Sequence, residues 1–118
     1  MGERHTRIVG TERHVWNTER LWQLARQLDP FDMEIEQIPE LDINCWFERR
    51  EPTLREIAGH AQRIAQADLA YPVILNEDGA LMDGGHRLCK ALAEGRTTIV
   101  AVQFPQTPEP DERVPIHA

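Results

Sequence analysis

A short turn near the middle of the chain, Asp83-Gly84-Gly85-His86-Arg87, has the composition of an anion-binding site. An apolar strand pattern precedes it and a helical pattern follows it. The two glycines let another molecule approach the backbone, and the unpaired amides in the first turn of a helix attract negative charge together with the helix dipole. The sequence therefore predicts a phosphate-binding turn in which Gly84 and Gly85 contact the ligand.

The side chains around this turn suggest how an anion would be held and used. Arg87 and Lys90, three residues apart on one helical face, are the expected ligand-binding cations. Asp83 and His86 are the candidate catalytic residues, since a carboxylate can approach a metal ion and an imidazole can exchange a proton. The alternative is a tight turn with Asp83 as a helix cap and two solvated cations, and spacing alone does not decide between the two.

The elements that must position this turn can be assigned from apolar spacing and from capping and turn residues. Thr53 and Glu56 form a capping-box pattern, and the apolar stripe that follows them predicts a helix packed on a sheet. The helix that starts at Gly85 or His86 is expected to end at Gly95. The remaining expected elements are a helix over 17–28, a strand over 33–38, a loop over 41–52, a hairpin over 71–82 with its turn at 76–79, and a strand over 97–104.

Length and composition predict one α+β (mixed α/β) domain in three parts. Residues 1–14 are read as a flexible arm, 15–104 as the single domain, and 105–118 as a proline-rich tail that is extended and wraps or frays. No apolar run is long enough to cross a bilayer, and the amino terminus lacks the apolar stretch of a secretory signal. We therefore expect no membrane partner and a cytoplasmic location.

Charge and cysteine usage narrow the class of partner. The formal net charge is −7, and 14 acidic groups face 7 basic ones over residues 29–104, which argues against direct DNA binding. Cys45 and Cys89 form no Cys-x-x-Cys pair, and the five histidines lack ligand spacing, so no structural metal site is expected. A phosphate-bearing small molecule is the expected partner.

The order of these motifs resembles the ParB/sulfiredoxin superfamily over roughly residues 33–104. The resemblance is carried by the strand at Pro72–Leu75, the turn ending at Gly79, the Asp83–Arg87 motif and the helix ending at Gly95. It implies a small mixed sheet with flanking helices that binds a nucleotide, ATP or CTP, with Mg²⁺, and slow hydrolysis or phosphotransfer. The alternative is a non-catalytic module of the same fold that is switched by ligand or that binds a second copy or another protein.

Each family role has to be carried over residue by residue. Gly85 stands where sulfiredoxins place their catalytic cysteine, so sulfiredoxin activity is not expected, and nothing after Phe104 resembles the DNA-binding domain of partitioning proteins. Further candidate site residues lie in the loop and on the capping-box helix, whose start takes the place of the family's first core helix: Glu48, Arg49, Arg50, Thr53 and His60. Trp46 and Phe47 are candidates to stack on a base, with core packing as the alternative.

Overall fold

The computed structural model describes residues 3–47 and 50–116 and has an α+β fold. The candidates Glu48 and Arg49 lie outside the described residues. Within the described part, no helix has the length and apolar character needed to cross a membrane. The strands are β1 Arg4–Val9, β2 Glu12–Asn17, β3 Phe31–Glu34, β4 Val73–Leu75, β5 Leu81–Asp83, β6 Thr98–Gln103 and β7 Glu112–Pro115, and the helices are α1 Thr18–Ala25, α2 Leu54–Gln66 and α3 Gly85–Ala93.

A four-stranded mixed sheet of order β3-β6-β4-β5 carries the candidate turn at the end of β5. Strand β6 runs parallel to β4 and antiparallel to β3, and β4 and β5 form the antiparallel hairpin expected from the sequence. Its turn is fixed by the buried Asn76, whose Oδ1 accepts hydrogen bonds from the amides of Asp78 (2.9 Å) and Ala80 (3.0 Å). These hydrogen bonds fix the turn and so the direction of β5, which ends immediately before Gly84.

Both faces of this sheet are buried, because its strands alternate side chains between two clusters. Val73 and Leu75 of β4 pack with Leu88 of α3, whereas Ile74 packs with Leu21 of α1 and with Trp16. Helix α1 begins behind Asn17, whose side chain accepts from the Glu19 amide, and ends at Ala25, three residues before its expected end. Helices α1 and α3 thus cover opposite faces.

The amino-terminal segment is a β-hairpin, so the prediction of a flexible arm over residues 1–14 is wrong for its described part. Strands β1 and β2 pair antiparallel through a turn in which Gly10 has φ +61. The strands carry mostly polar side chains, so no apolar alternation indicated them. The buried hydrophobic residues of the hairpin, Val15 and Trp16, lie only at its end. The tail is extended as expected, and its β7 completes this second sheet, of order β1-β2-β7.

The strand expected over 33–38 stops at Glu34 and continues as short 3-10 turns over Ile35–Gln37 and Pro39–Asp42. Ile35 and Ile38 are both buried, and their spacing of three places them on one side of such turns but on opposite sides of a strand. The prediction of a strand beyond Glu34 is therefore wrong, because the apolar residues follow the period of three of a 3-10 turn.

Helix α2 has the expected start but not the expected packing. The Thr53 side chain accepts from the Glu56 amide and the Glu56 side chain accepts from the Thr53 amide, which confirms the capping box. The apolar stripe, however, is not buried on the sheet, since Leu54 is 86% exposed and Ile57 48%. With α1 and α3 already on the two faces, α2 packs outside, against α3.

Candidate functional site

The candidate turn contains a backbone conformation that glycine adopts and other residues rarely do. Gly84 has φ +113 and ψ 25 and is the N-cap residue of α3. A Cβ built on it would lie 2.6 Å from Cγ1 of the fully buried Val73. Among the residues that the structure describes, no side chain caps α3, so its first-turn amides can donate hydrogen bonds to an anion.

Asp83 and Arg87 are joined in one network and are not directed at a common ligand. The Arg87 Nη2 donates to Asp83 Oδ2 at 2.8 Å, and its Nη1 donates to the carbonyls of Tyr71 (3.1 Å) and Pro72 (2.6 Å). Asp83 Oδ2 also accepts from the indole Nε1 of Trp22 at 2.7 Å. The network ties α3 and α1 to the start of β4, and it leaves Asp83 poorly placed to act as a free base.

Lys90 lies away from the amino-terminal end of α3, where the sequence predicts a phosphate site. Its Nζ donates to the carbonyls of Ala65 (3.0 Å) and Ala67 (2.7 Å), at the end of α2. A cation at that position satisfies orphan carbonyls and complements the helix dipole. The structure therefore separates Lys90 from Gly84 and Gly85 and gives it the role of joining the two helices.

His86 is brought together with His60, which lies 26 residues earlier. His60 Nδ1 and His86 Nε2 are 2.8 Å apart, so one neutral imidazole donates to the other. The indole of Trp46 stacks on His60 at a centroid distance of 4.1 Å and on His86 at 4.7 Å. It also lies against Gly85, where an added Cβ would be 3.3 Å from the ring. The small residue at position 85 makes this stack possible.

Burial and a nearby arginine keep the two imidazoles neutral. Burial lowers the pKa of His60, and the charge of Arg63 lowers it further. Burial also lowers the pKa of His86, with smaller effects of His60 and Arg63 in the same direction. Arg63 is exposed and makes no ion pair with another described residue. It is the cation that sequence spacing missed, because only the packing of α2 on α3 brings it to this site.

The turn opens into a cleft of about 1630 Å³ between the mixed sheet, α1, the 41–47 loop and strand β1. Five arginines and four carboxylates line it, a balance of +1 in a chain of net charge −7: Arg4, Arg7, Arg26, Arg63, Arg87, Glu3, Glu40, Asp68 and Asp83. The cleft is thus the less acidic part of the molecule, which favours an anionic ligand.

Strand β1 contributes a half-buried histidine to the wall of the cleft, a position that the prediction of a flexible arm did not give it. His5 packs near Trp16 with ring centroids 5.6 Å apart, and its Nε2 has no hydrogen-bond partner among the described residues. Burial, assisted by Arg7, lowers its pKa to about 4. His5 is therefore neutral at pH 7.

Arg50 and Thr53 have structural contacts at the start of α2. Arg50 pairs with the Glu56 carboxylate, and that hydrogen bond, followed by the Thr53 amide, lowers the pKa of Glu56 to about 2. Neither Arg50 nor Thr53 lines the cleft. Of the second group of candidates, His60 alone is brought to the turn among those that the structure describes.

The thiols differ from activated nucleophiles. Burial raises the pKa of Cys45, with smaller contributions from Glu40 and Cys89, and burial raises the pKa of Cys89. A raised pKa disfavours the thiolate, which is the reactive form.

Comparison with known families, curated proteins and solved structures found no match. The resemblance to the ParB/sulfiredoxin superfamily therefore stays a prediction from sequence.

The side chains at the turn do not by themselves form a magnesium site. Within residues 3–47 and 50–116, no group of three His, Cys, Asp or Glu residues is arranged to hold an ion. Asp83 is the carboxylate of the turn, and its Oδ2 already accepts from Arg87 and Trp22. Mg²⁺ usually needs one or two carboxylates besides substrate phosphates.

Proposed function

We propose that this chain is a nucleotide-binding domain of the ParB/sulfiredoxin type that works in the cytoplasm and holds phosphate at the start of α3. The observation that carries the proposal is the uncapped α3 terminus, which lines an arginine-bearing cleft beside Arg63 and the His60–His86 pair. Backbone amides, a guanidinium and an imidazole N–H are the donors that phosphate oxygens accept. ATP or CTP is the ligand class that the sequence resemblance implies.

The roles of individual residues follow from their contacts. The Gly84 and Gly85 backbone is the expected phosphate cradle, Arg63 the ligand cation, and His86 the group that can donate to a phosphate oxygen or transfer a proton. Asp83 and Arg87 act as positioning residues, because their contacts with each other, Trp22 and two carbonyls hold the turn.

Calorimetric titration with ATP and CTP, with and without Mg²⁺, tests this proposal. Arg63→Gln should weaken binding about tenfold, since charge-assisted hydrogen bonds contribute roughly 1.5–3 kcal/mol and Arg63 is exposed. Arg55→Gln is the matched control, because Arg55 lies on the same helix but outside the cleft. Equal affinities of the two variants would remove Arg63 from the site, and no binding by the parent chain would reject the proposal.

The same proposal extends to slow hydrolysis of the bound nucleotide, with His86 as the acid or base. If the bound nucleotide is hydrolysed, inorganic phosphate should accumulate slowly with the parent chain and not with His86→Asn. Phosphate release by His86→Asn at the parent rate would exclude His86 as the acid or base.

A second candidate function is self-association, favoured by the exposed stripe of α2. Leu54, Ile57, Ala58, Ala61 and Ala65 lie on one helical face, all exposed. An antiparallel pair centred on Ala61 would let two helices approach closely and place Arg55 against the carbonyl end of the other copy, near its Asp68. A parallel pair would oppose the two Arg55 side chains.

Sedimentation equilibrium over a concentration series tests this second candidate. The parent chain should dimerise with rising concentration, and Ala61→Glu should stay monomeric because it puts two carboxylates at the crossing point. Gln27→Glu, at an exposed position away from α2, should dimerise like the parent. A parent chain that is monomeric throughout would reject this candidate.

A further inference from the structure

Trp22 is exposed and yet fixed in orientation. Its side chain lines the cleft, the residue is 48% exposed, and its Nε1 donates to Asp83 Oδ2 at 2.7 Å. The acceptor is itself held by Arg87 at 2.8 Å. A large apolar ring held in one orientation toward water has already lost the rotamer freedom that binding would otherwise cost.

Two of the other aromatic side chains that line the cleft, Trp46 and Phe47, contact each other and the two histidines. His60 and His86 lie on the same face of Trp46, since their own centroids are 5.1 Å apart and opposite faces would separate them much further. Phe47 packs edge-on against Trp46 and His60. No aromatic ring of the described residues stacks on Trp22. Trp22 is also the most exposed of the three tryptophans, because Trp16 is buried and Trp46 is half-buried.

The location of Trp22 relative to the α3 terminus matches a ligand with an aromatic part and a phosphate part. The indole N–H donates to Asp83, which is two residues before Gly85. The Cα atoms of Asp83 and Gly85 are therefore at most about 7 Å apart. Arg26 lies one turn after Trp22 on the same side of the chain and also lines the cleft. A flat base on the Trp22 ring and phosphates at Gly85 can therefore belong to one molecule.

We propose that Trp22 is the surface on which the base of a nucleotide stacks, and that it distinguishes nucleotides from inorganic polyphosphate. This inference rests on the proposed phosphate site at α3. Stacking of a base on an aromatic side chain contributes roughly 1–3 kcal/mol and tolerates different bases. ATP and CTP should therefore both gain from it.

Calorimetry with ATP, CTP and inorganic tripolyphosphate tests the inference, using Trp22→Leu and Trp22→Phe. Both variants lose the hydrogen bond to Asp83, and only the phenylalanine keeps an aromatic face, so their difference isolates stacking. Trp22→Leu should bind nucleotide about 5- to 150-fold more weakly than Trp22→Phe. Its tripolyphosphate affinity should stay within about twofold of that of Trp22→Phe. Thermal unfolding shows whether both variants are folded.

The outcomes separate this inference from the proposed function. Equal nucleotide affinities of folded Trp22→Leu and Trp22→Phe would overturn the stacking role, as would equal losses for nucleotide and tripolyphosphate in the leucine variant. If the parent chain binds tripolyphosphate but gains nothing from a base, the phosphate site stands and the Trp22 inference fails. If the parent chain binds neither, the proposed function fails and this inference with it.

Discussion

Replacing Gly84 by alanine should be among the most destabilising single-methyl additions in this domain. At φ +113 the backbone is beyond the left-handed region that other residues visit, which costs roughly 1–3 kcal/mol. The new Cβ would lie 2.6 Å from Val73 Cγ1 and 3.2 Å from its backbone Cα. Val73 is fully buried in β4 and cannot move aside, so overpacking adds about 1–3 kcal/mol.

Urea unfolding measures this cost against a matched control. Gly95→Ala also places alanine at positive φ, +78, but nothing lies within 4 Å of its Cβ, so we expect about 1 kcal/mol there. Gly84→Ala should lose roughly 2–6 kcal/mol in the free energy of unfolding. Combining it with Val73→Ala removes the closest clash, so the double variant should lose less than the sum of the two single losses. Equal losses for the two glycine variants, or simple additivity with Val73→Ala, would refute the close contact at the turn.

The remaining predictions concern stability. Arg87→Lys should cost about 1–3 kcal/mol, because one ammonium cannot reach Asp83 and two carbonyls together, and urea unfolding at parent stability would contradict the network. His5 has a pKa of about 4 in the folded chain, below its ordinary 6.5, so the unfolded chain takes up this proton first as the pH falls. The contribution of His5 to the free energy of unfolding is therefore complete above pH 6.5 and is lost as the pH falls toward 4. Unfolding titrations should show about 3 kcal/mol lost over this window, and an unchanged slope in His5→Phe would contradict this assignment. Thr53→Ala should cost about 1 kcal/mol through the lost helix cap, and no change in urea unfolding would argue that α2 does not need the cap.

Local chemistry made the centre of the fold predictable. The side chains of Asn76 and of the Thr53 capping box satisfy backbone amides a few residues away, and the amides of Gly95 and Arg96 satisfy the last carbonyls of α3. Their signals therefore do not depend on distant packing. This is why the hairpin, α2 and α3 are where the sequence pattern expected them.

The burial of α2 and the positions of the site residues depend on packing between distant elements, which the sequence pattern does not show. Amphipathic spacing shows that α2 has an apolar face, but not that α1 and α3 would already cover the sheet and leave Leu54 exposed. In the site, Lys90 and Arg87 are cations near a helix start, yet distant carbonyls determine where their charges go. His60 and Arg63 reach the turn only because α2 lies on α3. Trp22 is further from the motif in sequence, and its hydrogen bond to Asp83 has no local signal.

The most direct test of a phosphate site at α3 is a backbone amide NMR titration of the full chain with ATP and with CTP. The proposed function expects saturable shifts that are largest at the amides of Gly85 and His86 and weakened in Arg63→Gln. A folded parent chain whose Gly85 and His86 amides do not respond to either nucleotide at millimolar concentration would contradict it.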